Sequence, residues 1–167
     1  MHWSILGFQK QKRMFDMQII NKNLAHAYIF FGEPMIGKYL FVSDLIKNIN
    51  GRDVEYYDLK ILNGNLEKII SIDNIRELKK FLYNKPFNSE YIIAVINNAE
   101  YMTTEAQNAF LKILEEPAAS SLIFLVTSNI NKLLPTIQSR CQNIYFNRHS
   151  DETVKNFISK FNFSDQQ

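Results

Sequence analysis

Cysteine is almost absent from this chain. The one thiol, Cys141, can close no internal disulfide, and such sparse use fits a reducing compartment. Histidine is scarce as well. His2, His26 and His149 stand at no ligand spacing from one another or from Cys141, so no structural zinc site, and no metal of any kind, is expected. Long apolar runs are missing: the longest, residues 91–96, is far too short to span a bilayer. Residues 1–17 interleave Gln9 and Gln11 with Lys10, Lys12 and Arg13, which leaves no signal-peptide core. A soluble, cytoplasmic protein with no membrane partner is expected. An excess of one charge is also lacking. The 19 basic and 17 acidic residues leave a formal +2, which neither demands nor excludes nucleic acid, because a local basic face can hide in a near-neutral total.

What is present is an ordinary globular composition, 46% apolar and 22% charged, which argues against disorder. The 167 residues suffice for one domain with a sizeable core, not comfortably for two. Short apolar runs alternate with helical patterns, the rhythm of a parallel α/β sheet. Runs at 27–31, 91–96 and 122–126 read as buried strands, and 54–61 and 144–146 as weaker ones. Three helical faces lie between them. Phe41, Val42, Leu45, Ile46 and Ile49 form the first. Ile72, Ile75, Leu78 and Phe81 form the second, with Ser71 placed to cap it and Asp73 in its first turn. Ala106, Phe110, Ile113 and Leu114 form the third, with Thr104 and Gln107 as a capping box and Pro117 beyond its end. A last pattern, Val154, Phe157, Ile158 and Phe161, starts near Asp151 with little chain left to pack against.

The sharpest motif runs from Gly32 to Lys38, Gly-Glu-Pro-Met-Ile-Gly-Lys, between a strand and a helix. It satisfies G-x-x-x-x-G-K, in which glycines let backbone N–H groups curl around a phosphate at a helix N-terminus and the lysine adds charge. With only five glycines in the chain, a plain glycine turn is the weaker account. The motif then breaks. A Ser or Thr hydroxyl should follow the lysine as a Mg²⁺ ligand, but Tyr39 stands there, its hydroxyl at the end of a rigid ring. The strand at 91–96 should end in carboxylates, but it runs into Asn97 and Asn98, which carry no charge and cannot act as a base. Glu100 follows two positions on and reads as a solvated or capping acid that points away from the site. Two losses at one site predict an inactive ATPase. A small P-loop kinase is disfavoured by the same missing acid and by the lack of a substrate lid.

Residues 102–117, MTTEAQNAFLKILEEP, closely resemble the helix after the acidic motif of clamp-loader ATPases. Residues 133–142, LLPTIQSRCQ, are similar to the segment that ends in Ser-Arg-Cys in those proteins, and His26-Ala27-Tyr28 and Ile72-Asp73-Asn74-Ile75-Arg76 match as well. The chain thus resembles the N-terminal part of an AAA+ clamp-loader subunit of the bacterial DNA polymerase III holoenzyme. The degenerate acidic motif and the absent zinc cysteines favour the delta-prime type over the ATP-hydrolysing gamma/tau type. The resemblance implies a three-layer α/β P-loop fold, a central parallel sheet with helices on both faces. It divides the chain into an AAA+ domain, 1–150, and the truncated start of a helical lid domain, 151–167.

By the same resemblance, Gly32, Gly37, Lys38, Tyr39, Asn97 and Asn98 outline a degenerate nucleotide site, with Thr127 and Ser128 where relatives sense the terminal phosphate. Ordinary strand-end hydroxyls are an equal account of the last two. No cofactor is expected, and ATP or ADP should bind weakly at most. Arg140 of Ser139-Arg140-Cys141 corresponds to an arginine that reaches ATP on a neighbouring subunit, a planar cation suited to charge on a transferred phosphoryl group. It should be exposed and remote from its own phosphate loop. Cys141 reads as a packing residue, since no activating base flanks it. Lys112 and Lys132 are weak DNA-contact candidates, for which a solvated helix face is the commoner explanation. The implied partners are the gamma/tau and delta subunits, with the sliding clamp and primed DNA reached through the assembled complex. An active gamma/tau-like ATPase is the rival reading.

Overall fold

The structure, a computed structural model, describes residues 1–50 and 58–148. Its centre is a five-stranded, all-parallel sheet in the order β2-β3-β4-β1-β5. The strands are β1 (Ala27–Phe31), β2 (Leu59–Asn63), β3 (Ile92–Asn97), β4 (Ser121–Thr127) and β5 (Gln142–Tyr145). The runs at 27–31, 91–96 and 122–126 become the three central strands, β1, β3 and β4. β4 is buried along its whole length, which is why these runs are continuously apolar rather than alternating. The weaker run at 54–61 yields β2 only from Leu59 onward, and its first part, 54–57, lies outside the described residues. The helical pattern after Asp151 and the lid boundary it marks also lie outside them.

Helices cover both faces, because successive strand side chains point to opposite sides. On one face Ile29, Ala94, Ile96, Ile123 and Leu125 pack with Ile75, Leu78 and Leu82 of α3 (Ile72–Leu82) and Phe110, Ile113 and Leu114 of α4 (Thr104–Glu115). On the other, Tyr28, Phe30, Val95 and Phe124 meet Phe15 of α1 (Gln9–Ile20) and Phe41, Val42 and Leu45 of α2 (Lys38–Asn50).

Two local readings need correction. The cap of α4 is Thr103, one residue before the expected Thr104: its Oγ1 accepts from the Ala106 N–H at 3.1 Å. Gln107 is no partner in a capping box. Buried, it donates Nε2 to the carbonyls of Met102 and Lys132 and accepts the Leu134 N–H on Oε1 at 2.8 Å. It ties α4 to the chain that leads into α5 (Pro135–Gln138). Ser71 does cap α3, in a reciprocal box with Asn74. α1 was not legible in advance, because its only buried side chains are Lys12 and Phe15 and no apolar stripe repeats. Tertiary contacts hold it instead. Lys12 Nζ donates to the Ile5 carbonyl, and the Trp3 indole N–H donates to Asp16. The N-terminal strap is anchored on α2, where Asp44 accepts the N–H groups of Ser4 and Ile5 at 2.7 Å each and the Ser4 hydroxyl.

A second buried carboxylate, Asp58, secures the approach to β3. It accepts the N–H groups of Phe87, Asn88 and Ser89 at 2.7, 3.1 and 3.0 Å. Burial by itself would raise the pKa values of both acids. The hydrogen bonds they accept outweigh it and hold both below the usual carboxylate range. Their contribution to stability is therefore present above the unfolded-state pKa of about 3.9 and is lost as pH falls through the folded values. Asp58→Ala removes three hydrogen bonds to a buried carboxylate and is expected to cost about 2–4 kcal/mol in urea unfolding at pH 7. The variant should also lose less stability than the parent between pH 5 and pH 3. An equal acid slope in the two proteins would remove Asp58 from this account.

Candidate functional site

The chain leaves β1 at Gly32, passes over the C-terminal edge of the sheet and enters α2 at Lys38. Three residues of this loop hold positive φ: Gly32 at 149°, Met35 at 60° and Gly37 at 100°. Only the glycines adopt such values without cost. The Lys38 side chain is buried, and its ammonium is folded back onto its own loop. It donates to the carbonyls of Gly32, at 2.9 Å, and Glu33. Burial lowers its pKa, and the negative charge of Glu100 opposes that shift.

A cavity of about 350 Å³ lies between this loop and the ends of β3 and β4. Pro34, Gly37, Lys38, Tyr39, Asn97, Asn98 and Ser128 are among its walls, so most of the expected nucleotide-site residues do converge. Gly32 supplies a carbonyl to Lys38 rather than wall. Thr127 is not brought to the cavity: fully buried, it accepts the Asn129 N–H on Oγ1 at 3.0 Å. The two asparagines turn toward the end of β2. Asn97 Nδ2 donates to Asn63 Oδ1 at 3.1 Å, and Asn98 Nδ2 donates to the Gly64 carbonyl at 2.9 Å.

Glu100 overturns its expected role. Asn98 adopts a left-handed conformation (φ 54°) and starts a single 3-10 turn, Ala99–Tyr101, which brings Glu100 back to the sheet edge. Its Oε1 accepts the Ser128 N–H at 3.1 Å, while Oε2 is buried with no hydrogen-bond partner among the described residues. The acid therefore faces the end of β4, not solvent. Two adjacent asparagines, a residue type that tolerates the left-handed region, were the signal available for this turn.

The donor set does not fit a nucleotide-bound Mg²⁺. Tyr39 offers no hydroxyl at the serine position, and Asn97 and Asn98 present neutral amides, with Nδ2 bonded to Asn63 and Gly64, where anionic carboxylates would hold the ion. Among the described residues no cluster of His, Cys, Asp and Glu side chains could hold a metal ion, and no helix is long and apolar enough to cross a membrane.

Arg140 sits at the other edge of the sheet. It follows α5 and precedes β5, whose first residue, Gln142, pairs beside Tyr28 near the start of β1, whereas the phosphate loop follows the end of β1. Its side chain is 37% exposed and forms an ion pair with Glu115 at 2.9 Å. Adjacent Cys141 is half-buried, and burial pushes its thiol up to about 12, where the thiolate is negligible at neutral pH.

A family model described as DNA polymerase III, delta subunit, matches residues 52–150. The chain belongs to this clamp-loader family. It is 29% identical over 89% of its length to DNA polymerase III subunit gamma/tau of Mycoplasma genitalium, of which it covers 28%. It is 28% identical over 83% of its length to DNA polymerase III subunit delta' of Pseudomonas aeruginosa, covering 44% of that protein. A gamma subunit-related protein of Thermotoga maritima superposes with a TM-score of 0.76 at 26% identity, over 87% of this chain and 49% of that one. The RuvB branch migration motor of the same organism, at 11% identity and TM-score 0.66, shares the fold. This clamp-loader chain thus spans less than half the length of these curated relatives.

The two DNA-contact candidates of the clamp-loader chain are not brought together. Lys112 lines a groove between α3 and α4 with Arg76 and Lys79, whereas the ammonium of Lys132 lies 5.8 Å from the centre of the Tyr101 ring. Both are exposed.

Proposed function

We propose that this chain is a non-hydrolysing, delta-prime-like clamp-loader subunit that supplies Arg140 in trans to an ATPase neighbour. The observation that carries the reading is that the strand end where hydrolysis needs carboxylates to hold metal and orient water carries the neutral amides of Asn97 and Asn98, whose Nδ2 groups donate to Asn63 and Gly64. Tyr39 removes the other metal position, and Lys38 is satisfied by its own loop. In this reading the gamma/tau and delta subunits are the direct partners. The sliding clamp and primed DNA are reached through the assembly, with Lys112 and Lys132 as non-specific phosphate contacts. Any ATP or ADP bound in the 350 Å³ cavity is held weakly and without metal.

Purified protein should show no Mg-ATP turnover above background. A fluorescent ATP analogue should bind weakly at most, with the same affinity in Mg²⁺ and in EDTA. Tight binding that requires the metal would sink this reading.

A catalytically active, gamma/tau-like ATPase is the second reading. It is favoured by the intact Gly32–Lys38 spacing, by Glu100 at the end of β4, and by the gamma/tau relatives. Turnover that disappears in Lys38→Ala would select it.

A further inference from the structure

Arg140 is held at both branches of its guanidinium. Nη1 donates to the Thr136 carbonyl at 3.0 Å, and Nη2 donates to Glu115 Oε1 at 2.9 Å. The anchors come from different elements. Thr136 belongs to α5, four residues before Arg140, and Glu115 is the last residue of α4. The bonds from Gln107 to Lys132 and Leu134, and the packing of Ile137 in the same core as α4, fix these elements relative to each other.

Glu115 stands where local physics disfavours it. It and Glu116 are two acids at the C-terminal end of a helix, the negative end of the dipole, where lysine or arginine is preferred. A residue that breaks a local rule calls for a compensating gain. For Glu115 the gain on view is the pair with Arg140. Among the described residues Glu116 makes no such ion pair; its N–H donates to the Lys112 carbonyl and its own carbonyl accepts from the Tyr83 hydroxyl.

We infer that Glu115 is a positioning residue for Arg140, holding one branch of the guanidinium in place so that the planar fork is set before a partner's phosphate arrives. This rests on the reading of Arg140 as a trans-acting cation. A free arginine must surrender much side-chain entropy when it docks on an oxyanion, whereas a fork already anchored gives up less. Among the described residues the anchors use two of its five N–H donors, which leaves three for the incoming oxygens. The pair is half-exposed, with side chains 37% and 50% accessible, so it adds little to stability and water screens the carboxylate from an approaching anion. Its effect should therefore appear in turnover rather than in folding.

The test uses the full encoded subunit in a loader reconstituted with its gamma/tau and delta partners, with ATP turnover measured in the presence of clamp and primed DNA. Glu115→Ala should lower kcat roughly three- to tenfold and leave KM for ATP unchanged within about twofold, the signature of an interaction made in the transition state. Glu116→Ala removes the same charge one residue away and should stay within about twofold of the parent. Glu115→Gln keeps an acceptor oxygen and should recover most of the rate. In an Arg140→Ala background, Glu115→Ala should have no further effect, because it acts through the arginine. Thermal midpoints of all variants should coincide within about 2–3 °C, since exposed pairs contribute so little. Three results would overturn the inference and leave the role of Arg140 standing: equal behaviour of the two glutamate variants, a loss on Glu115→Ala that persists without Arg140, or a gain in turnover. An Arg140→Ala loader with parental turnover would instead remove the reading beneath it.

Discussion

On the delta-prime-like reading, Arg140→Ala is expected to leave the chain folded and to cut clamp- and DNA-stimulated ATP turnover by the partner subunits roughly tenfold or more, a lower bound on the about 10³–10⁵ that an arginine supplied in trans contributes to phosphoryl transfer. The fold should survive because the side chain is partly exposed and its ion pair with Glu115 is open to water. Turnover should fall because alanine removes the only planar cation of the Ser139-Arg140-Cys141 segment, at a sheet edge remote from the chain's own phosphate loop. Lysine should restore part of the rate. It keeps the charge, but it lacks the fork that Thr136 and Glu115 hold and that binds two oxygens at once. The measurement is steady-state ATP hydrolysis by the reconstituted loader, at salt low enough not to screen the contact. Parental turnover with Arg140→Ala would leave the residue as an ordinary surface arginine.

Gly32→Ala should be the most damaging single substitution for the fold. Gly32 has φ 149°, and a Cβ built there would lie 2.2 Å from the Phe146 carbonyl oxygen, closer than any such contact in real proteins. The obstruction is backbone, so no rotamer change relieves it. Relief requires moving the chain just after β5, yet the Phe146 N–H donates to the Phe31 carbonyl at 2.8 Å. The Phe146 ring is fully buried, about 5 Å from the rings of Phe8, Phe30 and Phe41. Moving it disturbs the aromatic core between the sheet, α1 and α2. A loss of roughly 3–5 kcal/mol is expected, read as a lower urea midpoint with an unchanged slope. Gly37→Ala should cost less, because its nearest neighbour, 3.3 Å away, is the flexible end of the Ile5 side chain. Equal losses at the two glycines would mean that φ, and not the contact with Phe146, sets the cost.

Much of the fold could be read one residue at a time. Buried parallel strands are continuous apolar runs, and the faces of α2, α3 and α4 repeat at helical spacing, so β1, β3, β4 and these helices were visible in advance. The phosphate-loop spacing and its faults at Tyr39, Asn97 and Asn98 were equally local, because they depend on residue type at fixed offsets from Lys38 and from the end of β3.

Helix α1 was hidden because one fully buried ring, Phe15, and side-chain bonds to the preceding segment, from Lys12 to the Ile5 carbonyl and from the Trp3 indole to Asp16, hold it, and neither leaves a periodic trace. The shift of the α4 cap to Thr103 was hidden because Thr103 and Thr104 are chemically identical, and Gln107 was drawn away by Lys132 and Leu134, some 25 residues along the chain. By itself, then, the sequence determined the α/β class, the position of the Gly32–Lys38 loop at the end of β1, and the presence of Tyr39, Asn97 and Asn98 beside it, all of which follow from short-range spacing and residue chemistry. Only the tertiary structure decided that Glu100 turns back to the end of β4, that Thr127 is withheld from the cavity, and that Glu115 grips Arg140. Those outcomes depend on backbone handedness at Asn98, for which the paired asparagines are a local signal, and on which distant elements meet at the sheet edges, which no local pattern encodes.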